Sequence, residues 1–261
     1  MESLQPGERI MGVYNGNKKN DVIVGSNKDD FINGKEGDDH LSGGGGNDEI
    51  HGWYGNDQMY GGAGDDRMFG EFGSDYMEGG DGNDIVNGGD DVDTLLGGNG
   101  ADLVYGGTGN DTISGGSGHD EISGDAGIDT LTGGADDDWF FFAYQSDSAG
   151  AGDVITDFQG GVDRLMGDTY PTAWDANASL GGRQLWEYVG STPGSALANG
   201  NGRATVSSEG GYTVLRLYNN DGDDNADFVL NLQGIVSAQD LQITLWDGSG
   251  WNASAIIFPG G

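Results

Sequence analysis

The sequence predicts an all-β fold in which short strands stack as successive turns of a solenoid, and three observations support this prediction. Aspartate recurs every nine residues without interruption from Asp21 to Asp138, fourteen times in all. A glycine lies five residues before each aspartate, and an apolar residue lies two residues after it. A fixed period this short is typical of repeat architectures in which each unit packs on its neighbours.

The repeat unit reads G-G-x-G-x-D-x-U-x, where U is apolar, and it is complete in residues 43–51 (GGGGNDEIH) and 106–114 (GGTGNDTIS). Because glycine adopts left-handed backbone conformations without penalty, the first six positions are predicted to form a tight turn. The last three positions are predicted to form a short strand whose middle residue alone faces inward. The predicted core consists of Ile23, Ile32, Leu41, Ile50, Met59, Met68, Met77, Val86, Leu95, Val104, Ile113, Ile122, Leu131 and Phe140.

The unit resembles the RTX, or hemolysin-type, calcium-binding repeat, whose fold is a parallel β-roll. The resemblance covers residues 16–141, about half of the chain. It implies that turns two repeats apart stack on each other, and that aspartates and glycine-region carbonyls of two turns line each gap. Fourteen repeats then give two rows of seven turns with up to about twelve calcium sites.

The composition independently calls for a bound cation. One inward apolar side chain per repeat provides a thin core, which opposes the entropy of ordering the backbone only weakly. The chain carries 44 acidic against 10 basic residues, a net charge of −34, and this self-repulsion opposes compaction. Calcium is the best candidate, because the turns offer carboxylate and carbonyl oxygens and the chain has no cysteine.

The expected calcium ligands are the repeat aspartates together with carbonyls of the turn glycines. The aspartates are Asp21, Asp30, Asp39, Asp48, Asp57, Asp66, Asp75, Asp84, Asp93, Asp102, Asp111, Asp120, Asp129 and Asp138. The glycines are Gly37, Gly44, Gly46, Gly55, Gly62, Gly64, Gly73, Gly80, Gly82, Gly98, Gly100, Gly107, Gly109, Gly116 and Gly118. We expect weaker binding in the first two repeats, because Lys19 and Lys28 replace the glycine at the fourth position.

The repeats alternate between two rows of turns, here called the odd row, which begins at Gly16, and the even row, which begins at Gly25. In the even row the second position is glycine from Gly44 onward. The odd row instead carries Lys35, Trp53 and Glu71 there. The even row is therefore expected to bind calcium more uniformly, and the odd row to present an aromatic ridge.

Three segments are predicted: an N-terminal cap at 1–15, the β-roll at 16–141, and a C-terminal β capping region at 142–261. Residues 138–165 are similar to the segment that ends the β-roll in serralysin-type proteases, and that resemblance implies that Asp153 and Asp157 bind calcium. Short strands are predicted at 184–189, 204–207, 212–218, 228–232, 241–246 and 255–258 from their apolar and alternating patterns. Residues 228–241 resemble the tail of RTX exoproteins, which implies a type I secretion signal.

Several functional classes are disfavoured by the sequence. The strong negative charge disfavours binding to nucleic acid and to anionic membranes, and no apolar run is long enough to span a membrane. The chain lacks the H-E-x-x-H motif of zinc proteases and the G-x-S-x-G motif of lipases. Its histidines, His40, His51 and His119, occupy different surroundings in the repeat and are expected to be solvated.

Two functions remain. The first is a non-enzymatic, secreted calcium-binding protein that folds outside the cell, without a cleavable N-terminal signal, and serves as a structural, assembly or adhesion module. The alternative is an accessory polysaccharide-binding module of a secreted enzyme of the epimerase, protease or lipase type, separated from its catalytic domain. The ridge formed by Trp53, Tyr54 and Phe72 is the candidate surface for sugar binding or for self-association.

Overall fold

The structure is a computed structural model that describes residues 12–143, 153–159, 163–168, 187–188, 203–209, 212–218, 228–233, 243–246 and 251–252. Side chains are described for residues 12–141, 153–159 and 163–164. Regular secondary structure in these ranges consists of β-strands. The predicted strand at 255–258 and residues 1–11 of the predicted cap lie outside the described residues.

Fifteen strands form the repeat segment: β1 (Gly12–Asn15), β2 (Val22–Val24), β3 (Asp30–Glu36), β4 (His40–Gly45), β5 (Glu49–Tyr54), β6 (Gln58–Ala63), β7 (Arg67–Phe72), β8 (Tyr76–Asp81), β9 (Ile85–Asp90), β10 (Thr94–Asn99), β11 (Leu103–Thr108), β12 (Thr112–Ser117), β13 (Glu121–Ala126), β14 (Thr130–Ala135) and β15 (Trp139–Ala143). Eight follow: β16 (Asp153–Ile155), β17 (Arg164–Asp168), β18 (Glu187–Tyr188), β19 (Arg203–Glu209), β20 (Tyr212–Tyr218), β21 (Phe228–Gln233), β22 (Ile243–Trp246) and β23 (Trp251–Asn252).

The repeat strands form two parallel sheets that are the two walls of a roll. Odd-numbered strands from β1 to β15 lie side by side in one sheet, and even-numbered strands from β2 to β14 lie in the other. Each strand pairs with the strand two before it, and paired residues are separated by two repeats, as in Leu95 opposite Ile113. The chain therefore completes one circuit every eighteen residues, and the prediction of a β-roll of about seven turns is confirmed.

The predicted apolar column is the core of the roll. Thirteen of its fourteen members, from Ile32 to Phe140, are fully buried. Ile23 is half-buried, because its strand β2 is the edge of its sheet. We predicted one inward-facing residue per repeat, and this number was too low. The aspartate at position six and the glycine at position one are also buried. Positions six, eight and one alternate along an extended chain, so all three side chains point to the same face.

The strands are also longer than the three residues predicted. A typical strand runs from the seventh position of one repeat to the third position of the next, six residues in all, as in β12. The strand continues through the first three positions of the repeat, although the second has a positive φ, because their backbone groups bond to the neighbouring turn. An example is the N–H of Gly45, which donates to the carbonyl of Ser26 at 3.0 Å.

Stacking continues past residue 141. Strand β16 pairs with β14 in one sheet, and β17 pairs with β15 in the other. Ile155 is fully buried in register with Leu131, and Leu165 pairs with Phe140. Parallel pairing of β21 with β16 and of β22 with β17 then extends both sheets beyond the repeat segment.

Candidate calcium-binding turns

Two continuous ladders of aspartates run along the roll, one beneath each row of turns. In each ladder the Oδ1 atom accepts a hydrogen bond from the backbone N–H of the aspartate eighteen residues earlier, at 2.7 to 3.1 Å. The twelve acceptors are Asp39, Asp48, Asp57, Asp66, Asp75, Asp84, Asp93, Asp102, Asp111, Asp120, Asp129 and Asp138, here called the ladder aspartates. Each joins its own turn to the preceding turn in the same row.

The second oxygen of each ladder aspartate has no protein partner. Among the described residues, all twelve ladder aspartates are at most 3% exposed, and each has a buried Oδ2 atom that receives no hydrogen bond. A buried carboxylate oxygen without a donor is unfavourable by about 1–3 kcal/mol or more. Twelve such oxygens recur along the two rows of turns, and the protein supplies no donor to any of them.

Backbone carbonyls converge on the same gaps, as the gap between the turns at 97–102 and 115–120 illustrates. A methyl group on Gly97 would lie 2.5 Å from Asp102 Oδ2 and 2.6 Å from the carbonyl oxygen of Gly115. From the other side, a methyl group on Gly116 would lie 2.1 Å from the carbonyl oxygen of Gly98, and one on Gly118 would lie 1.9 Å from that of Gly100. The gap is therefore lined by oxygen atoms, and only glycine fits at its first position.

Burial raises the pKa of the ladder carboxyls above the ordinary value of aspartate. The pKa of Asp93 rises to about 8 and that of Asp102 to about 7, mainly because of desolvation. The backbone N–H that bonds Oδ1 lowers each pKa, and neighbouring aspartates of the ladder raise it again. A nearby cation would relieve both the desolvation and the mutual repulsion.

The family model for the RTX calcium-binding nonapeptide repeat (four copies) matches residues 15–50, 33–68, 51–86, 60–95, 87–122 and 114–143. Residues 15–143 belong to this RTX family. Its repeats bind Ca²⁺ in the turns of the β-roll. No curated protein matches the chain.

Solved structures also match. One is the solution structure of the AlgE6R3 subunit from the Azotobacter vinelandii mannuronan C5-epimerase, at 29% sequence identity. The match covers 72% of this chain and 90% of that chain, with a TM-score of 0.28.

The oxygen lining of the RTX turns fits a hard cation of the calcium type. Among the described side chains, no group of three or more His, Asp or Glu is arranged to hold a metal ion. The aspartates of a ladder contribute singly, one per turn, so carbonyl oxygens must supply most of a coordination shell. Calcium accepts such a shell of six to eight carboxylate and carbonyl oxygens, whereas softer metals select nitrogen or sulfur.

The glycines proposed as calcium ligands share one backbone conformation. All fifteen glycines proposed as ligands have a positive φ, from +103° at Gly44 and Gly46 to +150° at Gly109. Gly89, Gly127 and Gly134 also have positive φ and were not among the predicted residues. Their place in the repeat, at the second or fourth position, was the signal that could have identified them.

At the N-terminal end of the RTX roll, the first two aspartates are satisfied within the protein. Asp21 accepts hydrogen bonds from the backbone N–H and the side-chain amide of Asn17. Asp30 accepts bonds from the N–H groups of Gly12 and Ser26 at 2.9 and 2.6 Å. These two predicted ligands therefore differ from the ladder aspartates, whose Oδ2 atoms receive no such bond.

At the C-terminal end, Asp153 continues one ladder by accepting a 2.8 Å bond from the N–H of Asp129. Asp157 accepts bonds from the N–H groups of Gly133 and Gly134, one on each oxygen. Asp163 was not predicted, yet it continues the other ladder by accepting a 3.2 Å bond from Asp138. Its second oxygen accepts a bond from the N–H of Gln159. Both oxygens of Asp157 and of Asp163 therefore accept hydrogen bonds within the protein, as do those of Asp21 and Asp30.

The three histidines lie apart from one another on the roll. His51 is the least exposed, with 19% of its side chain accessible, and its ring nitrogens are 3.1 Å from Glu49 and Glu71. His119 contacts Asp137 and packs edge-on against Trp139.

A roll built only of repeats is typical of a non-catalytic module. The described residues contain no helix of the length and apolarity needed to cross a bilayer.

Proposed function

We propose that the chain is a non-enzymatic, secreted calcium-binding protein whose β-roll folds when calcium enters the gaps between its turns. In this proposal it serves outside the cell as a structural, assembly or adhesion module. The single observation that carries the proposal is the set of twelve buried Oδ2 atoms without a protein donor. A roll that repeats the same unfavourable feature in every gap requires a cation to be stable.

The proposed ligands in each gap are one ladder aspartate and the carbonyl oxygens of the first, second and fourth repeat positions. Bound calcium supplies the positive charge that the buried carboxylates lack. The ladder bond through Oδ1 keeps each carboxylate in place, and left-handed glycines aim the carbonyls at the gap. Asp21, Asp30, Asp157 and Asp163 are proposed to cap the ends of the rows, because hydrogen bonds within the protein already satisfy them.

Calcium availability would make folding conditional on location. When the free calcium concentration is ten times the dissociation constant of a site, binding there stabilises the folded state by about 1.4 kcal/mol. Twelve such sites contribute about 17 kcal/mol. Extracellular calcium-binding modules have dissociation constants of about 0.1–1 mM, well above cytosolic calcium levels. The chain is therefore proposed to stay unfolded during export and to fold outside the cell.

The export route is proposed to be a type I secretion apparatus that recognises the C-terminal region. Deletion of residues 228–261 tests this, because export should stop while calcium binding by the repeat segment persists. Since β21 and β22 extend the two sheets of the roll, folding of the deletion variant in calcium must be checked separately. Continued export of the deletion variant would contradict the proposed signal.

Calcium-dependent folding is tested by far-UV circular dichroism and calcium titration of the full chain. Addition of calcium to the chelated protein should produce a cooperative gain of β signal, and magnesium at the same concentration should not. The matched control is a chain in which several ladder aspartates are replaced by alanine, which should not respond. Equal spectra in calcium and in chelator would contradict the proposal.

A second candidate, polysaccharide binding, is favoured by the exposed aromatic side chains of the odd row. Trp53, Tyr54 and Phe72 are 39–53% exposed on neighbouring turns. The rings of Tyr54 and Phe72, however, stack on each other at 4.8 Å with planes 4° apart, so one face of each is covered. A glycan array with the calcium-loaded protein and a Trp53→Ala, Phe72→Ala variant tests it. Binding that survives both substitutions would rule out this surface.

A further inference from the structure

We propose that the odd row is a self-association surface through which two copies of the calcium-loaded chain pair in antiparallel orientation. This inference rests on the proposed function, because the odd row exists as a surface only when the roll is folded. It also gives the assembly role a definite partner, a second copy of this chain.

The first support is the uneven distribution of exposed apolar side chains. Among the described residues, eight large hydrophobic side chains are exposed, and three of them are valines of the N-terminal strands β1 and β2. The other five all lie in the odd row, and the even row presents none: Trp53, Tyr54, Phe72, Val92 and Ile128. Tyr54 and Phe72 contact each other, and apolar side chains concentrated on one edge of a highly charged molecule are typical of a contact surface.

The second support is the backbone that displays these side chains. Lys35, Trp53 and Glu71 follow one another in register on β3, β5 and β7, and their φ angles are +89°, +78° and +76°. Left-handed conformations disfavour residues that carry a Cβ atom, and the even row has glycine at the equivalent positions from Gly44 onward. Side chains retained at strained positions are frequent at functional sites, whereas calcium binding alone would favour glycine in both rows.

The third support is the order of charges along the odd row. Basic residues lie on its first two turns, at Lys18, Lys19 and Lys35. The second turn also exposes Glu36, which is ion-paired with Lys18, and Asp38, so Lys19 and Lys35 are the basic residues left for a partner. Acidic residues lie on its fifth turn, at Asp90 and Asp91, both of which are exposed. The aromatic residues lie on the third and fourth turns, between the two groups.

This order favours antiparallel pairing. With a two-fold axis between the third and fourth turns, the aromatic residues of both copies meet at the centre. Lys35 of each copy then faces the fifth turn of the other, where Asp90 lies. Lys35 donates a 2.7 Å hydrogen bond to the carbonyl of Gly16 and stays exposed, so its charge remains at the surface. A parallel arrangement would instead bring like charges together.

The ring geometry favours a protein partner over a sugar at this surface. Tyr54 and Phe72 are paired across β5 and β7 and stack on each other. The covered faces point along the roll axis, so ring edges point outward. Ring edges pack well against other aromatic and aliphatic side chains, whereas a sugar ring stacks best on an open aromatic face.

The size of the surface sets the expected affinity. Strands lie about 4.8 Å apart, so seven turns give a ridge about 30 Å long. A ridge this narrow buries less than about 1,200 Å² in total, which is the range of weak and transient contacts. We therefore expect a reversible dimer with a dissociation constant in the micromolar range or weaker.

Sedimentation velocity of the full chain in calcium, over a wide concentration range, tests the inference. The wild type should show a monomer–dimer equilibrium, and Tyr54→Ser with Phe72→Ser should weaken the dimer about tenfold or more. The matched control is Ala63→Ser, an exposed position of the even row that corresponds to Tyr54 in the repeat. Circular dichroism confirms that each variant is folded.

A charge swap distinguishes a specific contact from loss of structure. Lys35→Glu alone and Asp90→Lys alone should each weaken the dimer, and the two together should restore it. A folded wild type that remains monomeric at all concentrations would overturn the inference while leaving the proposed function intact. A dimer insensitive to these variants would overturn it too, as would a folded monomer whose Tyr54 and Phe72 bind a glycan. A chain that fails to fold in calcium would overturn both proposals.

Discussion

Replacing the buried carboxylate of Asp102 by an amide should change stability in opposite directions with and without calcium. In Asp102→Asn the remaining oxygen can still accept the 2.8 Å bond from the N–H of Asp84. The substitution removes a charge that is fully buried and whose Oδ2 atom has no protein donor. In chelator the variant should therefore favour the folded state by about 1–3 kcal/mol, the penalty of an unsatisfied buried polar group.

In saturating calcium the same variant should be less stable than the wild type. The variant loses a charged ligand in one gap. If calcium no longer binds there, and free calcium is ten times the dissociation constant, the folded state loses about 1.4 kcal/mol of stability. The folded fraction in chelator and the unfolding midpoint in calcium, both followed by circular dichroism, measure the two effects. The control is Asp65→Asn, which removes an exposed charge and keeps the acceptor for the N–H of Asn83. A change of the same sign in both conditions, or equal effects at Asp65, would refute the reasoning.

The remaining predictions concern protons, glycines and the end of the roll. In chelator the folded-state pKa values of the ladder aspartates, about 6 for Asp48 and about 8 for Asp93, lie above the unfolded value near 3.9. Their contribution to stability is therefore complete below about pH 4 and is lost as pH rises through 6 to 8. The β signal should increase when the chelated protein is acidified from pH 8 to 5. A decrease in that signal would contradict the prediction. Gly100→Ala should destabilise the calcium-loaded roll, because φ is +141° and the new Cβ would collide with the carbonyl of Gly82. Gly45→Ala, whose Cβ would have its nearest contact at 3.7 Å, should be tolerated, and equal unfolding midpoints for the two variants would count against the gap geometry. Asp157→Ala should increase amide hydrogen exchange at Gly133 and Gly134, which lose their acceptor, without affecting exchange in the central turns; unchanged exchange at both glycines would disprove the cap.

The repeat pattern was sufficient to predict the fold of the central segment. The nine-residue period fixed the register of both sheets, because only one register keeps Leu95 and its equivalents in a single buried column. The spacing also predicted the positions of the ladder aspartates, whose twelve Oδ2 atoms are buried without a donor.

Three features of the structure were not predicted, because each position of the repeat was interpreted from its residue type alone. Asp102 was assigned to the turn as a polar residue, although it lies two residues before the buried Val104 and shares its face. Asp163 was missed because insertions interrupt the nine-residue spacing, although the pair Asp163 and Leu165 preserves the pattern of aspartate followed by an inward apolar residue. The left-handed backbone at Trp53 was not predicted either, since propensity alone would place glycine there.

Small-angle X-ray scattering during a calcium titration of the full chain tests the central claim most directly. If calcium compensates the buried carboxylates, the chelated protein should have the dimensions of an expanded chain and should contract cooperatively to a compact particle as calcium is added. A radius of gyration that is already compact after exhaustive chelation, and unchanged by calcium, would contradict the claim.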